Sequence, residues 1–206
     1  MHPYVAYPLA VLIGYLLGSS NMAIYLSRAR GVDLRAGGSG NPGASNTVSL
    51  MGWKAGALVA LHDIGKAFLA VWLCKKLFPA LGYAGAAAGV ACVIGHIYPF
   101  YMRFRGGKGF ASFYGMIWGL DWRFAVVIGV VIILVTLITD YIVIGTMTTV
   151  VSYPIYCAVR GDWVLALIVG AVSLLIIWKH RENLVRIANG TEIKVRAAGK
   201  GNYRVK

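Results

Sequence analysis

Three short stretches of this 206-residue chain concentrate residues suited to holding an oxyanion. The first is Gly37-Gly38-Ser39-Gly40-Asn41-Pro42-Gly43-Ala44-Ser45-Asn46. Glycine and proline at this density exclude a regular helix. Glycines let backbone N–H groups approach an anion closely, and a helix start adds a favourable dipole. Ser45-Asn46-Thr47 is expected to cap the helix that follows; a flexible loop is the competing reading.

The second stretch is Gly95-His96-Ile97-Tyr98-Pro99-Phe100-Tyr101-Met102-Arg103-Phe104-Arg105-Gly106-Gly107-Lys108-Gly109. Two arginines followed by a lysine between glycines suit phosphate. This is not a nucleoside-triphosphate loop, which has a glycine six residues before the lysine and Ser or Thr after it; Met102 and Gly109 stand there. A basic loop meeting lipid headgroups is the alternative. The third stretch runs from Lys179-His180-Arg181-Glu182-Asn183 through Arg186 to Gly190-Thr191-Glu192. If the preceding helix continues past Trp178, then His180, Asn183 and Arg186 or Ile187 share one face. A solvated helix end competes with that reading.

The elements that must position these stretches are apolar. Hydrophobic types make up 59% of the chain and charged residues 13%, against roughly 45–50% and 25% in a soluble domain. Mean hydropathy is +0.70. Disorder needs low hydrophobicity, so a disordered chain and a nucleic-acid-coating basic domain are excluded, and a soluble enzyme is disfavoured. Yet 20 Lys/Arg face 7 Asp/Glu, for a net charge of +13. That combination fits a membrane protein with its basic groups gathered on one side.

A spanning helix needs about 20 mainly apolar residues. Seven segments qualify as candidates: Tyr4–Leu26, Ala55–Cys74, Ala80–Pro99, Phe110–Leu120, Phe124–Thr139, Tyr141–Val159 and Trp163–Trp178. Phe110–Leu120 and Phe124–Thr139 are short, as broken or protected spans are. The sequence therefore predicts an all-α membrane protein with seven transmembrane helices, forming a single domain over residues 1–206. No Lys or Arg precedes the first segment, so it is expected to stay as a helix rather than leave as a signal peptide. Most basic residues fall between the first two segments, after the third and in the tail Lys179–Lys206. Lys75, Lys76, Arg123 and Arg160 fall on the other face. This places the amino terminus outside, the carboxyl terminus in the cytoplasm and all three oxyanion-suited stretches on the cytoplasmic side. The basic tail is expected to lie against anionic headgroups.

His62, Asp63 and Lys66 sit within a helix, where ionisable residues are functional suspects. Asp63 and Lys66 are one turn apart, and an ion pair supporting the site is expected. Cys74, Cys92 and Cys157 show neither disulfide nor zinc spacing.

In order and spacing the three stretches resemble the bacterial membrane acyl-phosphate:glycerol-3-phosphate acyltransferases, the PlsY family, over almost the whole chain. Ser39-Gly40-Asn41-Pro42-Gly43-Ala44-Ser45-Asn46 looks like the first family motif. Gly95-His96 to Pro99 with Phe104-Arg105-Gly106-Gly107-Lys108-Gly109 looks like the second. His180-Arg181 and Asn183 with Gly190-Thr191-Glu192 look like the third. The resemblance implies acyl transfer from acyl phosphate to the 1-hydroxyl of glycerol 3-phosphate, giving lysophosphatidate and phosphate, at the cytoplasmic side of the bacterial inner membrane. It implies catalytic roles for Ser39, Lys108, His180 and Asn183. Phosphate-binding roles fall to Gly40, Asn41, Gly43, Ser45, Asn46, Gly106, Gly107 and Gly109. His96, Asp63, Lys66 and Glu192 would support them. The partners are the two small substrates and membrane lipids; no metal, cofactor or nucleic acid is implied, and a monomer fits.

The chain departs from the family pattern at Ser49 and Asp140, where arginines are usual, and in Asp63-Ile64-Gly65-Lys66-Ala67, where glycine usually follows the lysine. These changes are expected to bear on acceptor electrostatics more than on donor handling. An acyl-phosphate-dependent acyltransferase with another acceptor is therefore the first alternative. A small-anion or lipid transporter is the second, although inverted repeats are not found.

Overall fold

The computed structural model describes residues 2–198. They form ten α-helices and one 3-10 turn (Phe100–Met102), with no strand among the described residues. These are α1 (Pro3–Ser19), α2 (Met22–Arg30), α3 (Ala44–Met51), α4 (Trp53–Leu77), α5 (Ala84–Ile97), α6 (Phe110–Leu120), α7 (Trp122–Thr139), α8 (Ile142–Val159), α9 (Trp163–Lys179) and α10 (Arg181–Ala188). Lys200, Arg204 and Lys206 of the expected basic tail lie outside the described residues.

Five helical stretches are long and apolar enough to cross a membrane: Pro3–Arg30, Trp53–Leu77, Ala84–Met102, Trp122–Thr139 and Ile142–Val159. Trp163–Lys179 with Arg181–Ala188 makes a sixth if that pair, bent by 49°, counts as one. The remaining expected segment, fourth in chain order, is α6, whose 11 residues reach about 16 Å. Its length is tolerable because protein surrounds it: Ser112, Phe113, Gly115, Met116 and Ile117 are buried. An interior helix satisfies its own backbone and needs no lipid-facing length. By contrast α7 turns Val127, Ile133, Leu137 and Ile138 outward.

The first apolar segment is interrupted where the sequence reads as continuous. Ser20 and Asn21 separate α1 from α2, and the Asn21 side chain accepts from the Ile24 N–H (3.0 Å) to cap α2. Helix α9 ends at Lys179, one residue past Trp178, and the chain bends by 49° at His180 into α10.

Helix α1 lies against α5 closely enough to exclude a side chain at Gly14 and at Gly18. A Cβ on Gly14 would come within 2.1 Å of the Ala88 carbonyl oxygen, and one on Gly18 within 2.0 Å of that of Cys92. Small residues allow this approach between membrane helices. It seats α5, whose end presents His96 and Ile97 to the second glycine loop. The loops gather at two ends. Arg35 reaches the Arg105 carbonyl (2.8 Å) and Val195 reaches that of Asp140 (2.9 Å) at one end. At the other, Tyr83 binds Asp162 (3.0 Å), Tyr156 binds Asp121 (2.8 Å) and Lys75 caps the Gly119 carbonyl (2.9 Å).

Candidate active site

Asn46 organises the first loop. Its Oδ1 accepts the Ser39 N–H (2.8 Å), and its Nδ2 donates to the carbonyls of Leu34 (2.8 Å) and Gly37 (3.2 Å). Gly38 takes a left-handed φ of 59°, and a Cβ there would stand 2.1 Å from Asn46 Oδ1. Buried Asn46 is therefore a clamp for the loop and not a helix cap. The expected cap at Ser45-Asn46-Thr47 is displaced, since α3 begins after Gly43. No side chain caps that start, so its first N–H groups are left for another partner. Gly40 spends its own N–H on Gly37, and Gly43 on Asn41.

The second loop folds onto the end of α5. Gly106 donates its N–H to the Ile97 carbonyl (2.9 Å) and Gly107 to that of His96 (3.1 Å). A Cβ would lie 2.0 Å from His96 O at Gly106 and 2.2 Å from His96 Nε2 at Gly107. These two glycines pack against buried His96 and have no N–H left for phosphate, contrary to expectation. Gly109 does otherwise: with φ 94° it opens α6, again with no side-chain cap.

Lys108 emerges between these glycines and joins the third stretch. Its Nζ donates to Asn183 Oδ1. Asn183 Nδ2 donates to Glu192 Oε1 (2.6 Å), and Arg186 Nε donates to Glu192 Oε2 (2.6 Å). Burial, with Arg186 nearby, lowers the Lys108 pKa, and Glu192 opposes that shift. The bend at His180 buries that ring together with Asn183. Its Nδ1 lies 2.8 Å from the Ile176 carbonyl; a carbonyl only accepts, so Nδ1 carries the hydrogen and Nε2 keeps the lone pair.

Beneath these loops lies a buried polar cluster. Lys66 Nζ donates to Asp63 Oδ1 (2.8 Å), the Ser20 carbonyl (2.6 Å) and His96 Nδ1 (3.0 Å). An ammonium has three hydrogens, and these partners use all of them. His62 stands between Asp63 (3.3 Å) and Ser20 Oγ (3.0 Å). Ser20 was not legible as part of this cluster; the polar pair Ser20-Asn21 within an apolar run was its only signal.

A cavity of about 390 Å³ joins the three stretches. Its polar lining includes Ser39, Asn41, Ser45, Lys108, His180 and Asn183. Both uncapped helix starts open into it, Gly43-Ala44-Ser45 of α3 and Gly109-Phe110-Ala111 of α6. Asn46, Asp63, His96 and Glu192 also reach it, whereas Gly40, Gly106, Gly107 and Lys66 do not. Two positive dipole ends and a lysine facing one cavity make a site for an anion.

A family profile described as glycerol-3-phosphate acyltransferase matches residues 8–190. The chain belongs to this family. A glycerol-3-phosphate acyltransferase of Coxiella burnetii is 34% identical over 195 residues, covering 93% of this chain and all of the relative. Glycerol-3-phosphate acyltransferase 1 of Oceanobacillus iheyensis is 36% identical, covering 92% of this chain and 95% of its own. Among solved structures, the chain resembles the glycerol 3-phosphate form of PlsY (YgiH), an integral membrane glycerol 3-phosphate acyltransferase. That likeness has a TM-score of 0.86 at 32% identity, over 91% of this chain and 94% of the other. The lysophosphatidic acid form matches with a TM-score of 0.82 at 31% identity.

Within this glycerol-3-phosphate acyltransferase fold the two departures separate. Ser49 lines the cavity, and its Oγ bonds back to the Ser45 carbonyl (3.2 Å). Asp140 does not line it. It ends α7 with φ 64° and accepts the Arg196 N–H (3.0 Å). Its carboxylate is engaged by the backbone of the segment whose Val195 lines the cavity.

Proposed function

We propose that this chain transfers a fatty acyl group from acyl phosphate to the 1-hydroxyl of glycerol 3-phosphate, releasing lysophosphatidate and inorganic phosphate in phospholipid synthesis. The observation that carries the reading is the convergence of Lys108, His180, Asn183, Ser39 and two uncapped helix starts on one cavity. Family membership and the two PlsY forms support it.

Acyl phosphate is a mixed anhydride, already activated, so no covalent enzyme intermediate is needed. The acceptor oxygen attacks the carbonyl carbon, the new ester bond forms, and the anhydride C–O bond breaks. The hydroxyl proton ends on the departing phosphate, which makes the donor's own oxygen its simplest acceptor. The chain's task is to bring two anions together and to neutralise the leaving group. Positioning supplies about 7–11 kcal/mol, and preorganised donors add to it. Lys108 and the N–H groups opening α3 and α6 face the phosphates. Ser39 and Asn41 border them, and His180 Nε2 offers a lone pair to the acceptor hydroxyl. A loss in His180→Ala beyond about 10⁴-fold in kcat, with KM unchanged, would reassign the proton to that ring.

The same reading makes residues 1–206 one domain that crosses the bacterial inner membrane seven times, with its amino terminus outside. The cavity then faces the cytoplasm and the donor's acyl chain enters from the lipid. An acceptor other than glycerol 3-phosphate is the second reading, favoured by Ser49 on the cavity wall. Purified protein given palmitoyl phosphate and glycerol 3-phosphate tests both. Lysophosphatidate and phosphate formed only when both are present support the first. Acyl transfer to a different alcohol alone supports the second, and no phosphate release at all overturns the enzyme assignment.

A further inference from the structure

From α10 to residue 198 the chain stays against the bundle. Gly190, at φ 69°, turns it, and the N–H groups of Thr191 and Glu192 return to the Arg186 carbonyl (2.8 and 3.1 Å). It then crosses to the end of α7. There Val195 N–H donates to the Asp140 carbonyl (2.9 Å), Arg196 N–H to Asp140 Oδ1 (3.0 Å) and the Arg196 guanidinium to the Leu137 carbonyl (2.8 Å). The side chains of this strap are sorted. Ile193, Val195 and Ala198 line the cavity, while Lys194, Arg196 and Ala197 are exposed.

Asp140 is suited to hold it. A non-glycine residue at positive φ is uncommon, and aspartate is among the types that tolerate it. That conformation ends α7 and leaves both the carbonyl and Oδ1 of one residue facing successive N–H groups of the strap.

We propose that Asp140 is a positioning residue that fixes segment 193–198 as the water-excluding wall of the cavity, so that acyl phosphate meets the acceptor hydroxyl before it meets water. The inference rests on the acyl transfer proposed above. The competing reaction is hydrolysis: a water oxygen attacks the same carbonyl carbon and the anhydride C–O bond breaks. The products are a fatty acid and phosphate, which share the two water protons. Because the donor is activated, exclusion of water governs how much is wasted.

The measurement is the ratio of phosphate released to lysophosphatidate formed by the full-length purified chain, beside trypsin cleavage after Lys194 and Arg196. Wild type is expected to keep the ratio near one and the strap protected. Asp140→Ala is expected to raise the ratio about threefold or more and to expose the strap. Asp140→Asn, whose amide oxygen still accepts, restores both. If Asp140→Ala does not fold, Arg196→Pro removes the N–H that Oδ1 accepts and carries the same expectation, with cleavage read after Lys194 because the substitution removes the second trypsin site. An unchanged ratio in a folded variant with an exposed strap overturns the inference, as does a strap that stays protected. A wild type that makes no lysophosphatidate overturns the transfer to glycerol 3-phosphate proposed above and this inference with it.

Discussion

Lys108 is held by an amide oxygen and not by a carboxylate, which leaves its charge available to a substrate. Asn183 passes the contact on to Glu192, and Arg186 takes the other oxygen of that carboxylate. Burial and Arg186 lower the lysine pKa, while Glu192 raises it. A lysine with a lowered pKa loses its proton at a lower pH than usual, so the cation proposed to face the leaving phosphate disappears as pH rises. kcat/KM, which reports the free enzyme, should therefore fall on the alkaline side below the ordinary lysine value of about 10.4. Glu192→Gln removes the opposing negative charge and should move that limb to lower pH. A limb that stays in place would show that Lys108 does not govern it. Lys108→Ala should cost about 10²–10³ in kcat, as loss of one preorganised donor does. Lys108, Asn183 and Glu192 were legible because their spacing matches a known pattern. The full use of Lys66 by Asp63, Ser20 and His96 was not, since Ser20 is 46 positions away from Lys66.

At the scale of elements, two helices begin at the cavity with their first N–H groups uncapped. The glycines that make this possible were visible in the sequence, but the starting residues were not. Ser45-Asn46-Thr47 reads as a cap; Gly43 is the cap because Asn46 is needed to fasten Leu34, Gly37 and Ser39. Gly106 and Gly107 read as phosphate donors, and close packing on His96 takes their N–H groups instead. Apolar runs located the longer helices and placed α6 at Phe110–Leu120, but the breaks at Ser20-Asn21 and His180 depend on tertiary contacts that hydropathy does not carry. The anion site at α3 has a direct test in Ser45→Asp. A carboxylate in the first turn favours the helix by about 0.3–1 kcal/mol, so thermal stability should hold or rise. The same carboxylate occupies the field proposed for phosphate, and KM for the phosphate-bearing substrates should rise about tenfold or more. Unchanged KM values would remove α3 from the binding site.

Taken whole, the molecule separates its loops into two ends of different character. The cavity end carries exposed Arg28, Arg30, Arg35, Arg103, Arg105, Arg181, Lys194 and Arg196. At the opposite end, Asp121 and Asp162 accept from Tyr156 and Tyr83 beside Lys75, Lys76, Arg123 and Arg160. The net charge of +13 is thus mainly a statement about orientation, and among the described Lys and Arg residues only Lys108 lines the cavity. Basic loops remain in the cytoplasm, so the cavity end should face inward and glycerol 3-phosphate should arrive from the cytosol. Buried Cys74, Cys92 and Cys157 leave a quiet background for a membrane-impermeant maleimide. Arg30→Cys should label in inverted membrane vesicles and stay dark in intact spheroplasts, and Lys76→Cys should do the reverse. Labelling of both positions from one side would break the odd number of crossings. A clean exchange of the two patterns would turn the cavity outward, away from its water-soluble substrate, and would overturn the proposed topology.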